Sequence, residues 1–316
     1  MTRGFRWPRP RDWFITPSSP TSNSNATLIT EIDWARSVPF IFMHVACFSL
    51  FWVGWSWIAI GAAAGLYVSR MLVIAAFYHR YFSHRSFKTS RWCQFAFAVL
   101  GCAAAQKGPL WWAAHHRHHH QHSDRSEDIH SPYKYGFWWS HVGWVLSKRY
   151  FHTDISTVKD FAKYPELVFL DRFDLLVPAV LGMALYTLGS VLRFAVPSLN
   201  TSGPQLLVWG FFVSTVFLFH GTSTINSLSH LIGRQRYETG DQSRNCFVLA
   251  LITFGEWHNN HHYYPISAKQ GFRWWEIDFT YAGLALFSWL GLIWDVKIVP
   301  TQVVSPAGSI NTPSSL

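Results

Sequence analysis

The chain has 316 residues and a net charge of +9, yet only 14% of its residues are charged, while 18% are aromatic and 18 are tryptophan. So few charges beside so much Trp and Tyr exclude an average soluble domain and point to a membrane protein, whose interfaces collect these side chains. No basic helix or RNA-binding signature accompanies the positive charge, so nucleic acid is not an expected partner.

Residues 1–30 are dominated by Pro, Ser and Asn and lack the apolar stretch of a signal peptide, so a loose or interfacial tail is expected there. Residues 301–316 read as a second flexible tail, leaving 31–300 as one membrane domain. Ser37 to Tyr78 is 42 residues with a single charge, Arg70. A span needs ~20 apolar residues, so this length predicts two spans joined by a tight turn at Trp55-Ser56-Trp57. Arg70 is costly in lipid and is expected to face the bundle interior or to snorkel, most simply as a helix-packing ion pair. Trp92 to Gln106 is apolar but short, which suits an interfacial or re-entrant helix, and Tyr281 to Trp294 reads the same way. Leu175 to Ser229 carries only Arg193, and the breaker VPSLNTSGP divides it into a second pair of spans.

The expected fold is therefore all-α: four transmembrane helices in two hairpins under a helical cap. Of the 26 Lys and Arg, 13 lie between Arg80 and Arg172, five precede Ser37 and six follow Ser229. Two hairpins return all these segments to one face, the cytoplasmic one by the positive-inside rule. The four cysteines, Cys47, Cys93, Cys102 and Cys246, form no C-x-x-C pair, so thiolate ligation of zinc, haem or an iron–sulfur cluster is not expected.

The 17 histidines fall mostly into groups. YHRYFSH carries His79 and His84, HHRHHH carries His116, His119 and His120, and WHNNHH carries His258, His261 and His262. The second and third groups share the spacing H-x-x-H-H, which places three imidazoles on one helix face. His79 and His84 are five apart, roughly 140° around an ideal helix, so their convergence requires the helix to end or bend between them. His230 ends the fourth span, with Asn226 one turn before it. Nine imidazoles exceed the needs of one ion and imply two, with open or water-filled positions. Imidazole suits iron, copper, zinc and nickel, and chemistry on an apolar substrate favours redox-active iron over zinc. His44 and His220 read as packing histidines, and His115, His118 and His122 as surface or supporting ones. Because binding needs neutral imidazole, acid below ~6.5 is expected to loosen the metals.

These residues resemble the membrane fatty acyl desaturases, in particular the delta-9 group of stearoyl-CoA and cyanobacterial acyl-lipid enzymes. HRYFSHRSFKTSR looks like the first histidine box, HRHHHQHSD with EDIHSP and FWWSHVGWVL like the second and its continuation, and NSLSH like the segment bearing an extra ligand. WHNNHHYYP with WWEIDFTY is similar to the third box. The match runs from about Met71 to Lys297.

The resemblance implies a di-iron centre held by His79, His84, His116, His119, His120, His230, His258, His261 and His262, with Asn226 holding a metal-bound water. It also implies reductive activation of O2 and removal of two hydrogens from a long-chain saturated acyl substrate, acyl-CoA or acyl-lipid, to give a cis double bond at carbon 9. No haem motif, cysteine cluster or dinucleotide fingerprint is present, so electrons must come from a separate donor, ferredoxin or a cytochrome b5-like protein, docking on the basic face. Lys148 and Arg149 align with a basic pair that meets the substrate head group. Asp124, Asp128, His130 and Glu256 flank the boxes and are expected to orient the ligating rings.

Two departures stand out. Acyl-CoA desaturases of animals carry Arg-Asp, a pair that helps hold the CoA head group, where this chain has Ala114-His115. A glycine is also missing after Glu256 in FGEWHNNHH, which in a continuous helix would rotate His258 by ~100° and so requires a compensating bend. A hydroxylase of the same superfamily is the alternative chemistry, although its first box more often has a shorter spacing than His79-x4-His84. A metal transporter or store is the alternative outside catalysis, but it needs ligands along a crossing path.

Overall fold

The computed structural model describes residues 31–304; both expected tails, apart from residues 301–304, lie outside the described residues. Those four form a single helical turn, Thr301–Val304. Among the described residues three helices are long and apolar enough to cross a membrane: α2 (Trp57–Ser83), α6 (Leu176–Ala195) and α7 (Gly203–Leu231). A fourth apolar helix, α1 (Val38–Val53), is shorter.

The turn between α1 and α2 falls where the sequence puts it. Gly54 adopts φ +65°, a conformation open mainly to glycine, and Ser56 caps α2 by accepting from the Ala59 amide at 3.1 Å. The breaker between α6 and α7 lies beside this turn. Ser56 donates to Thr201 Oγ1 at 3.2 Å, and the Gln205 amide and Trp209 indole donate to the Val53 and Gly54 carbonyls, each at 2.9 Å. These hydrogen bonds tie the two turns together at that end of the bundle.

Arg70 does face the interior, but it makes no ion pair among the described residues. Its guanidinium donates to Thr215 Oγ1 and Ser214 Oγ on α7 and to the Leu66 and Ala103 carbonyls. Neutral acceptors satisfy the cation without a second desolvated charge.

The two apolar segments too short to span are helices as expected: α3 (Arg91–Cys102) and α10 (Phe279–Trp289). Between them come α4 (Pro109–His122), α5 (Pro165–Arg172), α8 (Phe247–Ile252) and α9 (His258–Tyr263). A two-residue antiparallel pairing, β1 (Lys88–Thr89) with β2 (Ile293–Trp294), ties the chain after α2 to the C-terminal segment, with Lys88 opposite Trp294. The main core lies where the end of α2 enters this cap, around Phe77, Phe82, Leu110, Leu167 and Leu284, with Phe77 and Phe97 stacked at 3.8 Å.

Candidate metal centre

The last ten residues of α2, Ile74–Ser83, are wound as a π-helix and are buried throughout. The helix ends between His79 and His84, as the spacing requires, with His84 at its C-cap; the π winding is the feature the spacing did not announce. A π-helix closes its hydrogen bonds from i to i+5, so residues five apart stack as neighbours. The His84 amide donates to the His79 carbonyl at 3.3 Å, and the two rings stand 4.9 Å apart. The wider coil is held by arginine. Arg117, inside the second histidine group, donates to the Phe82 carbonyl at 2.7 Å and the Ser83 carbonyl at 3.0 Å while pairing twice with Asp160. Buried Arg80 pairs with Asp278 at 3.0 Å and donates to the Ala268 carbonyl, fastening α2 to the C-terminal segment.

On α4 the i, i+3, i+4 pattern turns His116, His119 and His120 to one side, whereas His118 Nε2 donates away from it to the Glu127 carbonyl. The third group sits on α9, which begins only at His258. Phe254 at φ +58° and Gly255 at φ +121° form a sharp turn before it. Gly255 is required there, since a Cβ would stand 2.4 Å from Asp278 Oδ1. This turn is the bend that the missing glycine demanded: with no helix upstream of His258, the deletion transmits no rotation. The two asparagines of WHNNHH are structural. Asn259 accepts from the Arg236 and Tyr237 amides, and Asn260 donates to Glu276.

The nine histidines converge in two groups able to hold a metal ion. His79, His84, His116, His120 and His261 form one, and His119, His230, His258 and His262 the other. Their Nε2 atoms face one another: His79 to His261 at 2.9 Å, His261 to His120 at 2.9 Å, His84 to His116 at 2.8 Å, and His230 to His258 at 2.9 Å. Nitrogens ~2.1 Å from a shared ion at right angles to one another stand ~3 Å apart, which these spacings match. The Nε2 atoms of His119 and His262 are buried without a hydrogen-bond partner. A buried polar atom left unpaired is costly, and a cation at the group's centre would satisfy both.

The far nitrogens are fixed by carboxylates. Nδ1 of His79 donates to Glu256 at 3.1 Å, of His119 to Asp128 at 3.0 Å, of His230 to Asp124 at 2.8 Å and of His262 to Asp241 at 2.6 Å. With the proton held on Nδ1, Nε2 presents its lone pair inward. Burial alone would raise these carboxyls, but the facing imidazoles hold Asp124, Asp128, Asp241 and Glu256 below the usual carboxylate range. Burial, then neighbouring imidazoles, push His84, His116, His120, His258 and His261 well below the ordinary histidine range. His262 falls to about 4, again first through burial. The pocket favours neutral rings, the form that binds metal.

A cavity of about 820 Å³ runs from this centre toward the bundle, lined by His79, His116 and His258 at one end and by apolar residues of α1, α6 and α7 beyond. Its size suits an acyl chain or a drug-sized ligand.

The profile of the fatty acid desaturase family matches residues 52–288. The chain belongs to that family. Its similar relatives include the sn-1 stearoyl-lipid 9-desaturases of Anabaena variabilis, 38% identical over 85% of this chain and 95% of that one, and of Synechocystis, 37% identical over 93% and 89%. The sn-2 palmitoyl-lipid 9-desaturase of Nostoc is 36% identical over 86% and 93%. As a desaturase the chain is an oxidoreductase of lipid metabolism.

The remaining sequence expectations fall unevenly around the desaturase centre. Asn226 lines the cavity; its carbonyl accepts from Ser140 Oγ at 2.6 Å, where α7 is broken at Ser227. His130 is buried, its ring tilted against His119 with centroids 4.3 Å apart, and its Nδ1 has no hydrogen-bond partner. Lys148 is exposed and paired with Glu31, and Arg149 is exposed beside it; neither lines the cavity. His44 and His220 pack as expected, with Nε2 atoms 3.2 Å apart, and His220 continues to His141 at 3.0 Å.

Two residues of the setting went unread in the sequence. Asp241, in YETGDQS, sits in a loop between motifs and its acidic side chain was the one available signal. Gln270, with its amide turned to satisfy its neighbours, donates to Glu256 at 2.9 Å and accepts from His261 Nδ1 at 3.3 Å; nothing in its sequence context marks it.

Proposed function

We propose that the chain is a delta-9 acyl desaturase that inserts a cis double bond at carbon 9 of a saturated C16–C18 chain, using two iron ions held by His79, His84, His116, His120 and His261 on one side and His119, His230, His258 and His262 on the other. The observation that carries the reading is the convergence of these nine donors at the head of an apolar cavity. Ions bound there would supply reductive activation of O2. The net change removes two hydrogens from neighbouring carbons, with two electrons and two protons from outside, and O2 leaves as two waters.

The chain's own residues do the rest. Asp124, Asp128, Asp241 and Glu256 keep the ring protons on Nδ1 and add negative charge beside the ions. Asn226, whose side-chain amide makes no hydrogen bond among the described residues, would hold a water beside the ions; His130 supports the second group from outside. The apolar walls fix the acyl chain so that one pair of methylenes stands at the centre, because neighbouring methylenes differ only in position. Electrons arrive from a ferredoxin or cytochrome b5-like donor on the basic face. We read α1, with its 16 residues, as the fourth span, which places the histidine centre on the cytoplasmic side with the basic segments.

Expression in a host unable to make unsaturated fatty acids tests the reading. Gas chromatography of its lipids is expected to show new monounsaturated chains with the bond at carbon 9. Hydroxylated chains, or chains left saturated in cells that hold the iron-loaded protein, would contradict it.

A further inference from the structure

We infer that His44, His220 and His141 form a one-proton store in the wall of the acyl cavity, filled and emptied only at Ser227, beside Asn226. This rests on the desaturase reading, in which each turnover takes two protons from outside, and it assigns the source of one of them.

All six ring nitrogens of these histidines are joined in one unbroken string of hydrogen bonds. His44 Nδ1 lies 2.8 Å from the Phe40 carbonyl and its Nε2 3.2 Å from His220 Nε2. His220 Nδ1 lies 3.0 Å from His141 Nε2, and His141 Nδ1 lies 2.9 Å from Ser227 Oγ. Ser227 Oγ also reaches the Ser223 carbonyl at 2.9 Å. The string therefore joins α1, α7 and the short helix Phe137–His141.

Counting protons along it leaves two arrangements. A carbonyl can only accept, so His44 always carries a proton on Nδ1. In the neutral arrangement His220 donates from Nε2 to His44, His141 donates from Nε2 to His220, and the Ser227 hydroxyl donates to His141. One added proton reverses every bond after the first. His44 becomes the cation, His220 and His141 donate from Nδ1, and Ser227 turns its hydrogen to the Ser223 carbonyl. Both arrangements pair every ring nitrogen with no heavy atom displaced. The Phe40 carbonyl closes one end, so the lone pairs of Ser227 are the single port.

The two ends lie where such a store is useful. Ser227 sits at the break in α7, next to Asn226, which lines the cavity. His44 lines the same cavity and is partly exposed, with the Phe40 ring 4.3 Å from its own to favour a cation. Water in an empty cavity hydrates that charge. An acyl chain that fills the cavity removes the hydration and drives the proton back along the string to Ser227. The proton is thus delivered when water, its usual carrier, has been shut out, and the string refills through Ser227 once product leaves. Burial holds His141 below the ordinary histidine range, so the charge does not rest in the middle of the string. The titratable groups facing His220 are His44 and His141. Besides the centre's own histidines, the charged residues that share the cavity wall with His44 are Arg36, Lys107, Asp174 and Glu256.

Nitrogen NMR of isotope-labelled histidine rings in iron-free protein tests the store without turnover, with His44→Gln, His141→Gln and His220→Gln assigning the signals. On acidification His220 and His141 are expected to change from Nε2–H to Nδ1–H while staying neutral, as His44 takes the charge. Glutamine at position 220 keeps a donor and an acceptor but cannot pass a proton on. In iron-loaded protein His220→Gln and Ser227→Ala are therefore expected to lower kcat at least ~5-fold, with KM and iron content unchanged, and to enlarge the solvent deuterium effect on kcat. Rings that keep one tautomer throughout, or His220→Gln with the kcat and isotope effect of the unaltered protein, would overturn the inference alone. No desaturation by the unaltered iron-loaded protein would overturn the desaturase reading and the inference with it.

Discussion

The two histidine groups solve one problem with different means. The five-histidine group is rich in donors and poor in charge: of its rings only His79 reaches a carboxylate, Glu256, while His261 leans on the neutral Gln270. The four-histidine group has one donor fewer, but three of its rings are backed by Asp124, Asp128 and Asp241. Anionic partners make imidazole a stronger donor and offset the charge of a buried ion. The lesson is that a missing ligand can be offset by the charge behind those that remain.

The largest effect should come from the ring at the heart of the donor-rich group. His261 Nε2 faces both His79 and His120 at 2.9 Å. His261→Ala is expected to abolish desaturation and to lower iron from two per chain to one or none by elemental analysis; full iron with full activity would remove this group from the centre. Next comes the charge itself. Asp241→Asn and Asp124→Asn should each weaken the ion at the four-histidine group by ~10–100-fold, read by chelator competition, while Gln270→Ala costs the other group less. Equal losses would erase the contrast.

Acid should sharpen it further. His84, His116, His120, His258 and His261 are held well below the ordinary range by burial and neighbouring rings, and His262 falls to about 4. In the unfolded chain they take up protons near pH ~6.5. Their neutral, buried state therefore contributes stability in full above ~6.5 that is lost as the pH falls toward about 4. His119 runs the other way: burial opposes its charge, but Asp128 outweighs burial and raises it, so its contribution is present in acid and lost as the pH rises through the raised value. With six rings against one, the thermal midpoint of iron-free protein is expected to fall between pH 7 and 5; a flat or rising profile would show that the rings are not buried neutral. The smallest effect is structural. Ser140→Ala leaves the Asn226 carbonyl at the break in α7 without its donor and should cost about 1–3 kcal/mol, with a partial loss of activity.

Much of this was legible in the sequence because it follows from spacing and hydropathy. The repeated H-x-x-H-H needs only helix geometry, and the hairpin turn at Gly54 and the breaker at residues 196–204 announce themselves by composition. The π-helix at Ile74–Ser83 did not, since its contacts are long-range: Arg117 from α4 donates to the Phe82 carbonyl, and Arg80 reaches out to the Ala268 carbonyl. Asp241 stayed hidden for the same reason, as its value comes from a contact 21 residues away in sequence. Arg70 was rightly turned inward but wrongly given a charged partner; Ser214 and Thr215 on α7 are hydroxyls whose role no local pattern reveals.

Nine imidazoles, split five and four, should hold two irons. X-ray absorption at the iron edge on anaerobically purified protein, with the metal counted in the same sample, distinguishes this arrangement from the others. Two irons per chain in nitrogen-rich shells without sulfur are expected, falling to one in His84→Ala and in His262→Ala alike; a single iron in the unaltered protein, or a sulfur shell, would rule the arrangement out.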